Sequence, residues 1–96
     1  MRETRTMEFK ETITNTFLKT VSAFSNYDGG VILFGVDDEG NSKGLSDVKQ
    51  SCLDIENKIN DSISPQPDYK LETQNNDKII KLTVQSGAQK PYLYRS

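Results

Sequence analysis

Histidine is missing from this 96-residue chain, and cysteine occurs once, at Cys52. The first absence removes histidine-based catalytic triads, histidine zinc ligands and the commonest general base. The second removes any internal disulfide and any cysteine-based zinc site. No apolar stretch approaches membrane-spanning length, since the longest uninterrupted run is Val31 to Val36, and no signal-peptide core opens the chain. A basic excess is also lacking. The formal net charge is −2, whereas nucleic-acid binders usually advertise themselves with a surplus of lysine and arginine. Any chemistry must therefore run on carboxylates, lysines, hydroxyls and a borrowed metal, and the expected compartment is the cytoplasm.

What is present suits one small domain with a polar surface, at 27% charged and 33% hydrophobic residues. A core of that size is modest, so a partner subunit or an extension is relevant to stability. Met7-Glu8-Phe9-Lys10 alternates as a short strand. Ile13, Phe17, Val21 and Phe24 recur at helical spacing, with Thr12 as the expected N-cap. Asn26 to Gly30 stops that helix, and Val31 to Phe34 reads as a strand buried on both faces. Asp37-Asp38-Glu39-Gly40 is a turn. Ser46 or Asp47 caps a second helix with an apolar face of Val48, Cys52, Ile55, Ile59 and Ile63, ended by Pro65 and Pro67. Cys52 on that face reads as a small core residue. Strands are expected at Tyr69 to Thr73, at Lys78 to Gln85 and from Tyr92 to Arg95. The order predicts an α+β fold, β-α-β-α-β-β-β, with two helices packed on a mixed sheet of about five strands.

The double glycine at 29 and 30 invites comparison with a phosphate loop. Phosphate loops lead from a strand into a helix N-terminus, and here the glycines follow a helix, so the negative end of the helix dipole faces them. They read as helix-stop residues. The acids Asp37, Asp38 and Glu39 offer clustered oxygens to a hard cation, but they do not fit an EF-hand frame and suit a solvated hairpin turn. Glu8 and Lys10 share one face of a strand, a pairing that metal-dependent nucleases use. The same acid-x-Lys spacing recurs at Asp47, Glu56 and Asp68, so it carries little by itself. Glu3 lies five residues before Glu8, a spacing that needs a bend if the two are to share a site. Arg2, Arg5 and Lys10 cluster at one end of the chain, and Lys90 and Arg95 flank Tyr92 and Tyr94 at the other. Tyrosines beside cations suit base stacking and phosphate contact, or else the edge of a core.

Read together, "EFKETI", "FLKTVSAFSNYDGGVILFGVDDEGNSKGL" and "KPYLYR" resemble the Schlafen-type AlbA-like domain over nearly the whole chain. The ordered set of elements carries the resemblance more than any one piece. It implies a single AlbA-like domain over residues 1–96, cut from a longer protein whose C-terminal remainder is absent. It also implies DNA binding within a transcriptional-regulator-like protein. In the animal Schlafen proteins, related lobes cut transfer and ribosomal RNA with three carboxylates and a divalent metal. By motif position those carboxylates would fall on Glu3, Glu8 and Asp38, with Asp37 as the alternative to Asp38 and Lys10 as the matching lysine. Some relatives carry an ATPase label, which no Walker lysine supports here.

Three functions are therefore expected, in order. The first is a nucleic-acid-binding module, free of cofactor and without enzyme activity of its own, with contacts from Arg2, Arg5, Lys10, Lys90, Tyr92 and Arg95. The second is an Mg²⁺- or Mn²⁺-dependent endoribonuclease built on Glu3, Glu8, Asp38 and Lys10. The third is a non-catalytic dimerisation or sensing module. A homodimer is an expected assembly, and no membrane association is expected.

Overall fold

The computed structural model describes residues 6–74 and 78–95. Its elements are β1 (Met7–Lys10), α1 (Phe17–Asn26), β2 (Gly30–Phe34), α2 (Val48–Ser62), β3 (Ile63–Ser64), β4 (Tyr69–Gln74), β5 (Ile79–Val84) and β6 (Leu93–Tyr94). The fold is α+β, as expected. The strands divide into a four-stranded sheet ordered β1-β2-β5-β4 and a separate pair, β3-β6. β1 runs parallel to β2, and the other pairings are antiparallel, so the main sheet is mixed.

The apolar run of β2 explains why it sits inside the sheet. Ile32 and Phe34 point to the helices and join Phe17, Leu18, Val21, Ile55, Ile59, Ile80 and Leu82 in the main core. Leu33 points the other way and joins Phe9, Val36 and Ile79 in a second, smaller cluster. An unbroken hydrophobic strand is what burial on both faces requires. Phe17 and Phe34 meet edge to face at 5.3 Å between ring centroids, a favoured aromatic geometry.

Two helix boundaries differ from expectation, each for a local reason. Helix α1 begins at Phe17 rather than near Ile13, and Thr16, not Thr12, is its N-cap. Residues 12 to 16 are Thr-Ile-Thr-Asn-Thr, rich in β-branched side chains that lose rotamer freedom in a helix. They form an irregular stretch that ends in a turn at Asn15 and Thr16, and the Thr14 and Thr16 hydroxyls bond each other at 2.8 Å. Ile13 still packs on the main core from that stretch. At the second boundary, α2 ends at Ser62, and Ile63 is already extended, with φ −122° and ψ 130°. Pro65 disfavours helical backbone in the residue before it, so the chain leaves the helix early. Ile63 remains buried, now as part of β3, a two-residue strand too short for periodicity to reveal.

Asp47 caps α2 as expected, accepting a bond from the Gln50 backbone N–H at 3.1 Å. Cys52 is half-buried and packs against the main core. Burial, with Glu56 nearby, pushes its thiol pKa up, which suits a packing residue better than a nucleophile. Gly29 ends α1 with φ +80°, and its N–H reaches back to the Phe24 carbonyl at 2.9 Å. This is helix-stop geometry, as the sequence predicts.

Candidate nucleic-acid interface

Three groups of residues carry the functional expectations: the first two lie at the neighbouring ends of parallel β1 and β2, where the Lys10 carbonyl accepts from the Gly35 and Val36 N–H groups at 2.7 and 3.3 Å, and the third stands at the far end of α1. The first is Glu8 and Lys10 on β1, an edge strand. Register with Ile32 and Phe34 puts both side chains on the helix side of the sheet. Lys10 Nζ lies 3.6 Å from Glu8 Oε2, and Glu8 Oε2 also accepts a 2.8 Å bond from the Thr20 hydroxyl of α1. Lys10 Nζ in turn donates to the Thr16 hydroxyl at 3.4 Å. The pair thus joins the edge strand to the first half of α1. The two residues do share one face, as strand alternation predicts. Glu3, Arg2 and Arg5 lie outside the described residues.

The second group is the acidic turn after β2. Asp37 Oδ1 accepts from the backbone N–H groups of Glu39 at 3.0 Å and Asn41 at 2.9 Å. Lys43 stands 3.8 Å from Oδ2. The Asn41 N–H, then that of Glu39 and the Lys43 charge, hold the carboxyl below its usual range against an opposing effect of burial. Asp37 therefore shapes its own turn, and Asp38 beside it is exposed. Among the described residues, no three acidic, histidine or cysteine side chains come together as a donor set for a metal ion.

The third group surrounds β6 and is the best-built arrangement in the chain. Asn26, in the last turn of α1, holds the Tyr92 backbone in both directions. Its Nδ2 donates to the Tyr92 carbonyl at 2.8 Å, and its Oδ1 accepts from the Tyr92 N–H at 2.6 Å. Ser22, one turn earlier, donates to the same carbonyl at 2.9 Å. The neighbouring Ser25 carbonyl accepts from the Gly87 N–H at 2.8 Å, so α1 grips both ends of the loop before β6. The Tyr92 ring fills the space inside that loop. A Cβ at Gly87 would lie 2.2 Å from it, and its hydroxyl accepts the Gln89 N–H at 3.1 Å.

Tyr92 is consequently only 4% exposed, a core residue with no face open to a base. This corrects the stacking role expected of it: the ring turns inward because an apolar loop interior is available to it. Lys90 and Arg95 are exposed, Leu93 between them is exposed as well, and the Arg95 N–H anchors to the Ser62 carbonyl at 2.7 Å. Lys10 is not part of this group. It stands at the start of α1, whereas the β6 clamp stands at the end, about 15 Å away along a ten-residue helix.

Asn26 is the residue that sequence reasoning under-read, as a mere helix end. The available signal is its spacing: Ser22 and Asn26 are four apart, which places two polar side chains in line beside the apolar stripe. The motif Ala-Phe-Ser-Asn-x-x-Gly-Gly has a structural account throughout. Phe24 lies against Gly30, where an added Cβ would meet its ring at 2.6 Å, and Ser25 and Asn26 hold the β6 loop.

No helix among the described residues is long and apolar enough to cross a membrane. No curated protein matches the chain. Among solved structures, the chain is similar to the solution NMR structure of the N-terminal domain of a RecG-related protein from Nitrosomonas europaea. The two share 23% identity with a TM-score of 0.69, over 94% of this chain and 69% of that one, which is a likeness of fold. The model of the family described as "Schlafen, AlbA_2" matches residues 3–96, and the chain belongs to that family.

Proposed function

We propose that this domain binds nucleic acid through the phosphate backbone, with Lys90 and Arg95 as its principal described contacts. One observation carries the reading: Ser22, Ser25 and Asn26 grip the segment that bears both cations, so they project from a held loop rather than a loose one. A held loop loses less conformational entropy on binding, which favours contact. Family membership supports the same partner class, and the name of the solved RecG-related relative links that protein to a DNA helicase. Arg2 and Arg5 join as further contacts, and Lys10 contributes from the opposite end of α1. The net charge of −2 makes this a weak, salt-dependent binder, suited to one module of a regulator-like protein in the cytoplasm.

The test is fluorescence anisotropy with labelled duplex DNA and structured RNA. With these five phosphate contacts, affinity should fall by roughly two to three orders of magnitude between about 50 and 200 mM salt, and Lys90→Ala should lower the slope of log K against log salt by about one. Binding that ignores both salt and Lys90→Ala would refute the reading. The same samples with Mn²⁺ or chelator, run on a denaturing gel, examine the nuclease alternative, which rests on Glu8 and Lys10 standing side by side. Metal-dependent cutting abolished by Glu8→Ala would favour it.

A further inference from the structure

The main sheet has two edges, and they treat their charges differently. On β1, Glu8 and Lys10 are committed to Thr20 and Thr16 of α1. On β4, Lys70 and Glu72 lie on the sheet face away from the helices, 68% and 49% exposed, and pair with each other at 3.9 Å. β4 is six residues long and has no proline, and no strand pairs with its outer side among the described residues. Such an edge is a ready template for another strand.

The backbone of β4 indicates how a partner would sit. The Gln85 N–H donates to the Asp68 carbonyl at 2.9 Å, so the backbone of Asp68 faces β5. Strand alternation then turns the backbones of Lys70 and Glu72 toward β5 as well, and those of Tyr69 and Leu71 outward to the open edge. From this we propose that β4 is a self-association edge, where the β4 of a second copy of this chain adds antiparallel about a two-fold axis through Leu71.

In that register Leu71 faces its own counterpart, and the two exchange a pair of backbone hydrogen bonds. Lys70 falls opposite Glu72 of the second copy, and Glu72 opposite its Lys70. These are non-hydrogen-bonded positions, where side chains approach most closely. Each Glu72 then lies between its own chain's Lys81, its register partner in β5, and the second copy's lysine. On the other face, Leu71 brings two half-buried leucines together beside the main core. A two-fold operation requires a surface that complements itself, and Lys-Leu-Glu about its centre does so. A shift by one residue would set Leu71 against Glu72 and break both the charge pairs and the face match. The proposal does not depend on the nucleic-acid reading.

The experiment uses sedimentation velocity on the whole chain across about 10 μM to 1 mM, a range suited to a small edge interface. The unaltered chain should shift from monomer to dimer with concentration. Lys70→Glu places like charges opposite each other twice, as does Glu72→Lys, and each should weaken self-association by at least about tenfold. Mixed in equal amounts, the two variants are complementary at both pairs and should form a heterodimer. Both sites are exposed, so a thermal melt will show that folding is intact. A chain that stays monomeric throughout, a dimer indifferent to both variants, or a mixture that does not associate would each overturn the proposal.

Discussion

Replacing Asn26 by alanine should destabilise this domain more than any other single change to an exposed or half-buried polar residue of α1. The side chain makes two bonds to one residue, at 2.8 and 2.6 Å, and both close a loop that returns from 66 positions along the chain. Removing it deletes the acceptor for the Tyr92 N–H, and an unsatisfied buried donor costs about 1–3 kcal/mol. The Tyr92 carbonyl keeps the bond from Ser22, so its loss is nearer the ordinary net value of about 1 kcal/mol. The site is only partly buried, which lets water recover some of this, and about 2–3 kcal/mol remains. For a domain of this size that corresponds to a fall in Tm of roughly 10–20 °C. Thermal and urea unfolding followed by circular dichroism would measure it. Ser22→Ala serves as the internal comparison, because it removes one bond from a carbonyl that retains another and should cost about 1 kcal/mol. If Asn26→Ala melts within about 2 °C of the parent, or if Ser22→Ala costs as much, the clamp does not hold β6 in the way described.

Two other outcomes follow from the same geometry. Gly87→Ala should destabilise by about 1–3 kcal/mol, since the new methyl would stand 2.2 Å from the Tyr92 ring and must displace it; an unchanged urea midpoint would count against that packing. Asp37 has its pKa lowered from 3.8 in the folded chain, so its contribution is fully present above that value and is lost as the pH falls through the folded pKa. The Tm of the parent should therefore exceed that of Asp37→Asn at neutral pH, with the gap closing below about pH 4; a gap that widens on acidification would refute it.

How far the sequence could be read depended on the range of the interactions involved. The apolar steps of α2 and the unbroken run of β2 identified both elements, because helix and strand periodicity is a property of neighbouring residues. Asp47 and Gly29 were legible for the same reason: a cap and a helix stop involve only the adjoining turn. The start of α1 was misplaced because Ile13 continues the stripe while its threonine neighbours resist the helix, and pattern outweighed propensity. β3 was hidden by its length, since two residues have no period. The inward turn of Tyr92 was undecidable locally. Its neighbours Lys90 and Arg95 suggest a surface, and only Gly87, which lies across the loop, makes room for the ring.

The candidate sites divide in the same way. That Glu8 and Lys10 share a face, that the 37–40 segment turns, and that this chain offers no histidine ligand and no internal disulfide were all consequences of sequence alone. That Glu8 bonds Thr20, that Asp37 is occupied by its own turn, and that Lys90 and Arg95 project from a clamped loop at the far end of α1 from Lys10 were decided by tertiary structure. Composition and periodicity settle which residues can be buried and which local shape they take. Which polar groups meet across 12 or 66 positions depends on how the layers stack, and no local pattern encodes that meeting.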